Sequence, residues 1–486
     1  MRLKVVVRCR EWICSICLIL FALVPQSASC QGRIGLTTSD YSGSGRAMLN
    51  PAALVLSKHY LEAGLFQTDL FLGNNAAYLR EPAFSLPDSI FQRQGTSGRY
   101  MHQNSRVAVP SVLVAIGNHA FSFGQSVRTA SSASRVPNDI SHILFNGHPT
   151  IPNKTYYHDR RFDMASLGWV QWSAAYATLI RSTGGRQFAA GISVNMISGL
   201  YGAYYHNRSV TYQDRNGRSY DIHSIDAQIG LSLPLDYQTS DPILTGVPFY
   251  GRGASIDAGV VLSRPLQEVR YRRIQGRRSR YRQHTAWCAH EYIPYQSRIG
   301  FSLLDFGSIQ YNRRMVVLEL EDAASTPGVD FNSQGVENIE SFIDEVAAYF
   351  NEQRDSIASL RTFTVGLPTA VSLQADYRIG SHMSLHGVMM QAVPWQRNRV
   401  TAPSYLSFAP RFAWRWIEAS LPMTLYEYRQ PGLGMSVRLG YLTLGTDNLL
   451  RLAGSNHMTG MDFYIALQIG LLKGNCRIRQ PGCVLY

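Results

Sequence analysis

Beyond residue 30 this chain of 486 residues has no run approaching the ~20 consecutive apolar residues that a membrane-crossing helix requires, so insertion as helices is excluded. Charge is sparse as well, with Asp, Glu, Lys and Arg making up 16%. Of seven cysteines, Cys9, Cys14, Cys17 and Cys30 crowd the N-terminus while Cys288, Cys476 and Cys483 are scattered, which leaves no Cys/His metal spacing and implies no cofactor. Neither Gly-x-Ser-x-Gly nor His-Glu-x-x-His occurs, which argues against an enzyme. Gly43-Ser44-Gly45-Arg46 lacks the Gly-Lys-Ser/Thr ending of a phosphate loop. Acidic residues are outnumbered, 33 against 46 basic, for a net charge of +13. On an exported chain that excess fits outer-membrane lipid and lipopolysaccharide phosphates, with no nucleic acid as partner.

Export is read from the N-terminus. Arg2, Lys4, Arg8 and Arg10 precede an apolar run from Ile13 to Val24 and the small residues Ser27-Ala28-Ser29. This is the pattern of a secretory signal peptide, assigned to residues 1–29. Cys30 admits a lipid-modified start, against which stands Ser27 in a place that prefers a branched aliphatic.

What fills the rest of the chain is a period of two. Near the end, Phe463, Ile465, Leu467, Ile469 and Leu471 alternate with Asp462, Tyr464, Ala466, Gln468 and Gly470. The same pattern sets Phe188, Ala190, Ile192, Val194 and Met196 against Gln187, Ala189, Gly191, Ser193 and Asn195, and it returns over 370–378 and 433–441. Ten further candidate strands lie near 59–72, 105–116, 119–130, 164–178, 222–234, 253–264, 295–311, 383–394, 403–413 and 416–427. A soluble β-sandwich or propeller would share this composition. With export added, the expected fold is all-β: a transmembrane antiparallel β-barrel of about 14 strands over residues 59–473, followed by a short tail at 474–486. Gly117–His119 and Arg181–Arg186 read as short periplasmic turns, and 74–104, 132–160 and 199–221 as long outward loops. Further along, the short turn at 380–382 and the long insert at 312–362 fall on the wrong sides for this count.

Three segments stand apart. Residues 30–58, with Asn50-Pro51-Ala52 near their end, read as a compact, partly helical hatch tucked into the lumen, where Pro51 restricts its own φ and holds Asn50 out of helix. A plain Asn-Pro turn is the alternative. Arg270, Arg272, Arg273, Arg277, Arg278, Arg280 and Arg282 form an insert suited to a phosphate-rich surface, or else a solvated loop with no specific ligand. Between Gly335 and Gln353, Val336, Ile339, Ile343, Val346 and Phe350 recur at helical spacing, which predicts a short amphipathic helix capping one barrel mouth. Cys476 and Cys483 flank six residues and can close a small loop in an oxidising compartment, with Cys288 free or otherwise paired.

Asn50-Pro-Ala52, Val109-Pro-Ser111, Ile197–Gly202, Ser302–Tyr311, Leu367–Tyr377, Gly440–Asn448 and Gly460–Tyr464 occur in an order that resembles an uncharacterised, domain-of-unknown-function family of outer-membrane barrels of Bacteroidota. That family is distantly similar to the long-chain fatty acid transporter barrels and to the shuttle barrels of type IX secretion. The resemblance implies fourteen strands and an N-terminal hatch around the Asn-Pro-Ala element, and it brings no catalytic residues. The expectation it supports is an outer-membrane barrel that carries a hydrophobic or amphipathic small molecule. The alternative is a non-transporting scaffold or secretion accessory that binds a partner protein through its loops.

Overall fold

A computed structural model describes residues 35–79, 90–92, 98–146, 156–181, 186–215, 220–243, 249–266, 292, 294–325, 337–447, 449 and 460–473. The alternating segments pair antiparallel around a closed wall. Its first half is β1 (His59–Asn74), β2 (Arg99–Ile116), β3 (His119–Val136), β4 (Tyr157–Arg181), β5 (Gln187–Asp214), β6 (Tyr220–Ser232 and Gly251–Pro265) and β7 (Tyr295–Tyr311 and Met315–Ala323). The second half is β8 (Ala358–Ser359, Phe363–Gly366 and Ala370–Arg378), β9 (Met383–Ala392), β10 (Tyr405–Ala413), β11 (Ile417–Ser420 and Met423–Tyr426), β12 (Gln430–Leu433 and Met435–Leu439), β13 (Leu442–Thr446) and β14 (Gly460–Leu472). β14 returns to β1, with Gly73 opposite Gly460 and His59 opposite Leu472, so no edge strand is left in the wall.

The period of two divides the wall as lipid and lumen require. In β14, Phe463, Leu467, Ile469 and Leu471 are exposed, whereas Asp462, Tyr464, Ala466 and Gln468 are buried. In β5, Ile192, Val194 and Met196 face out, and Gln187, Ala189, Ser193 and Asn195 are buried inside. An apolar exterior over a polar interior is the arrangement of a transmembrane barrel, the reverse of a soluble one.

Fourteen strands form the wall, as expected, but two errors offset each other in the sequence count. The candidates 222–234 and 253–264 are one wall strand: both lie along β5, Ser232 opposite Gly202 and Gly251 opposite Gly199. The strand that the sequence reading missed is β13, which pairs with β12 and β14. Merging the two candidates puts 379–382 at the same end as the turns at 117–118 and 182–186, and the insert at 312–362 at the opposite end. The expected loop at 199–221 is mostly strand, because β5 runs on to Asp214 with β6 beside it.

β5 has 28 residues where about 10 cross a bilayer, so β4 to β7 rise well beyond the membrane at the long-loop end. This explains the helix. α2 (Ile339–Tyr349), which follows α1 (Asn138–Asn146), starts on the outer face of that extension, and its second half (Val346, Ala347 and Tyr349) joins Tyr157, Tyr212 and Ala323 at the long-loop ends of the strands. Val316 and Leu318 of β7 bury Ile343 on that face, while Val317 between them packs into the lumen with Trp169 and Tyr311. Outward apolar residues above the bilayer need a cover, and the amphipathic helix supplies it.

Candidate functional site

The lumen is occupied by residues 35–58, which adapt to two different walls. Ala52, Leu54, Val55 and Leu56 pack on a patch of small residues drawn from β2 to β6: Ala115, Ala120, Ala175, Ala177 and Ala189, with Leu113 and Val261. Toward β1 and β7 to β14 the same segment is held by polar contacts. Ser39 donates to Glu418 of β11 at 2.7 Å, and Arg411 of β10 donates to the Thr38 hydroxyl at 2.6 Å and the Gly35 carbonyl at 3.2 Å. Glu62 of β1 accepts from the Ser44 amide at 3.0 Å, from its hydroxyl at 2.9 Å and from Gln468 of β14 at 3.1 Å. The Tyr41 ring lies beneath Arg438 and Lys58, at 4.0 and 4.1 Å.

Asp40 is the most heavily held residue of the segment. Its carboxylate accepts from Arg298 of β7 at 2.5 Å, from Arg46 at 3.4 Å and from the Tyr292 hydroxyl. Burial pushes this carboxyl up, but Arg298, Arg46 and Lys58 outweigh burial and hold it well below the usual carboxylate range. At the far end of the segment Lys473 donates to the Val55 carbonyl at 2.9 Å, and burial, with Arg46 and Arg298 nearby, lowers its pKa to about 8.

Asn50, Pro51 and Ala52 meet the wall directly. Pro51 opens a 3-10 turn (Pro51–Leu56) that extended Asn50 caps, its side-chain oxygen accepting from the Ala52 amide at 3.0 Å. The Asn50 amide donates to Gln374 at 2.8 Å and to the carbonyls of Val260 and Phe301 at 3.2 and 3.3 Å. Such close approach needs bare backbone opposite: a Cβ at Gly191 would lie 2.5 Å from the Ala52 nitrogen.

A second element closes the lumen further toward the long-loop end. Residues 393–404, between β9 and β10, turn inward: Val400 bonds to Gly366 of β8, and Thr401 reaches Ser132 of β3 at 2.8 Å and His102 of β2 at 3.1 Å. Val400 is buried with Trp169, Tyr311, Val365 and Leu367. Ala402 joins a different apolar cluster, one that contains Leu49 of the N-terminal segment together with Phe71, Leu304, Met390, Tyr405 and Tyr426. Cavities lie on both sides of this cluster. One of about 20 Å³ is lined by Leu49, Asn50, Arg298 and Asp376, and one of about 10 Å³ by Phe71, His102, Tyr426 and Glu427.

A family model matches residues 51–447, from the Pro51 turn to the end of β13. The chain belongs to the family of unknown function DUF5723. No curated protein matches it. Among solved structures, this DUF5723 barrel is similar to the Pseudomonas putida toluene transporter TodX, at 8% identity over 91% of this chain and 99% of that one, with a TM-score of 0.30. It is also similar to the translocator domain of the Neisseria meningitidis autotransporter NalP (6% identity, 90% and 98% covered, TM-score 0.31) and to a Pseudomonas aeruginosa FadL homologue (8%, 91% and 96%, 0.21). Scores this low carry no argument about mechanism, and the architecture of the DUF5723 barrel rests on its strand pairing.

The segment expected to be a signal peptide, Cys30, Cys288, the tail with Cys476 and Cys483, and Arg270, Arg272, Arg273, Arg277, Arg278, Arg280 and Arg282 lie outside the described residues. The residues flanking that insert, Pro265 and Tyr295, pair with one another at the short-turn end, where His59 and Leu472 also meet. The site residues that sequence reasoning missed are Asp40, Glu62, Arg298, Arg411 and Glu418. For the four in the wall a charge on the minor face of a strand was the signal, but nothing local named their partners, and Asp40 in the N-terminal segment carried no such signal.

Proposed function

We propose that this outer-membrane barrel passes a hydrophobic or amphipathic small molecule through its lumen, with residues 35–58 as a hatch and residues 393–404 as a second, outer gate. One observation carries the reading. Leu49 of the hatch and Ala402 of the gate share a single apolar cluster, so a solute leaving one gate for the other meets hydrocarbon and aromatic surface. Both gates are held by hydrogen bonds, ion pairs and packing, which can be exchanged without breaking the wall ladder. Asn50 and Pro51 set the hatch bend in this reading, and the long-loop end faces outward because short turns face the periplasm.

The test is uptake of radiolabelled apolar solutes by a deletion strain, complemented with wild type or with Ser44→Cys/Ser111→Cys. The Ser44 and Ser111 hydroxyls lie 3.0 Å apart across the hatch and wall, a spacing suited to a disulfide lock. Uptake should fall on deletion, return with wild type, and return with the locked variant only after reduction. Unchanged uptake in the deletion strain overturns the reading. A second reading, a scaffold that binds a partner protein through its loops, draws on cavity size, since about 20 Å³ holds a single water. It requires unchanged uptake together with a partner that co-purifies from detergent-solubilised membranes.

A further inference from the structure

Above the gate segment 393–404, the lumen face of the extended strands gathers arginines around one carboxylate. Asp163 of β4 accepts from Arg135 of β3 at 2.9 Å, lies 3.7 Å from Arg161, and binds His206 of β5 through its other oxygen. The gate segment, tied to β3 by the Thr401 amide donating to Ser132 at 2.8 Å, three residues from Arg135, brings Arg397 and Arg399 within electrostatic range: Arg397 acts on His206, and Arg399 feels Asp163, Arg135 and Arg161. Two guanidinium groups thus reach a carboxylate whose two oxygens are already engaged, and two more lie on the adjoining gate segment. Arg399 spends its Nη1 on the backbone carbonyls of Gln396 and Arg397, and its Nε is buried without a hydrogen-bond partner among the described residues. The side chains of Arg135 and Arg161 are 58% and 48% exposed, so the group is open to solvent and not an internal lock.

The gate changes character within a few residues of this cluster. Arg399 bonds back to the carbonyls of Gln396 and Arg397, Val400 enters one apolar cluster, and Ala402 enters the cluster shared with the hatch. A positive, forked donor surface sits directly above an apolar one. We propose that this vestibule captures the anionic head of an amphipathic solute, a carboxylate or a phosphate monoester, between Arg135, Arg161, Arg397 and Arg399, with the apolar tail directed at Val400 and the clusters below it. Guanidinium forks match both oxyanions in geometry, and partial exclusion of water strengthens the contact. The proposal rests on the transport reading for the onward path of the solute, but the binding itself does not.

The test uses the full chain in a neutral maltoside detergent, titrated calorimetrically with dodecanoate, dodecyl phosphate, dodecanol and inorganic phosphate. Both anionic amphiphiles should bind at least about tenfold more tightly than dodecanol, a difference of ~1.4 kcal/mol. That advantage should shrink at about 1 M salt, where the Debye length is about 3 Å. Arg397→Gln/Arg399→Gln should remove most of it, Arg397→Lys/Arg399→Lys should keep part of it, and Arg354→Gln, whose partner Asp344 lies on α2, should bind as wild type does. Heat-modifiable gel mobility checks that each variant is a folded barrel. Equal affinity for dodecanol and dodecanoate, or wild-type anion binding by the folded Gln variant, overturns the proposal. Inorganic phosphate binding as tightly as dodecyl phosphate overturns the amphiphile and leaves a site for a free oxyanion. Anion binding with unchanged uptake in the deletion strain sinks the transport reading and leaves the site standing.

Discussion

Arg298 of β7 donates to Asp40 of the N-terminal segment at 2.5 Å, with both side chains buried and the two 258 positions apart in the chain. This pair ties the lumen segment to the wall. Removing one partner of a buried pair leaves an uncompensated charge and costs about 3–5 kcal/mol. Arg298→Ala is therefore expected to release residues 35–58 while the wall ladder stays intact. Limited proteolysis should cut the released segment in a barrel that still migrates as folded, and full protection in the variant would contradict this role.

Acid should act on the same pair with a defined sign. The carboxyl of Asp40 titrates lower in the folded protein than its ordinary 3.8, so its contribution is fully present above that value and is lost as pH falls below it. Hydrogen exchange of residues 35–58 should be flat from neutral pH down to about 4 and quicken below it. In Asp40→Asn this acid step should disappear.

Lys473 predicts a trend of the same sign in the alkaline range. Its pKa is lowered from 10.5 to about 8, so between these values the folded protein binds fewer protons than the unfolded one, and stability rises with pH across that window. Replacing it with Met should flatten the rise, as read by thermal melts of the detergent-solubilised barrel at pH 7, 8, 9 and 10.

Gly191 tests the seating sterically. A side chain there meets the Ala52 and Pro51 backbone, and overpacking of this kind costs about 1–3 kcal/mol. Gly191→Val should displace the segment and raise single-channel conductance in planar bilayers above wild type. Unchanged conductance would mean that the segment yields locally without opening the lumen.

The helix on the outer face offers a control for all of these. Asn338 caps α2, accepting from the Ser341 amide at 2.8 Å, while Ser341 accepts from the Asn338 amide at 3.0 Å. Asn338→Ala should cost about 1 kcal/mol and speed exchange over residues 339–349. Hatch protection should not change.

Legibility in the sequence followed the range of the interaction. Strand faces were readable because alternation is local: Ile192 and Asn195 announce their sides within a few residues. The helix at 339–349 was readable for the same reason, but its placement was not, because that depends on how far β7 rises beyond the bilayer. Residues 222–234 and 253–264 could not be recognised as one wall strand, since their stacking is set by β5 and not by either segment.

By itself the sequence determined that strands would form, which face of each would be apolar, and that Pro51 would start a turn behind an extended Asn50. Those outcomes depend on neighbours within one or two residues, where sterics and side-chain direction act. The tertiary structure alone decided that Asp40 meets Arg298, that Glu62 meets Ser44 and Gln468, and that Arg135 and His206 meet at Asp163. Each of these contacts exists because a closed wall carries strands distant in sequence into one lumen, where a buried charge must find whatever partner the closure brings.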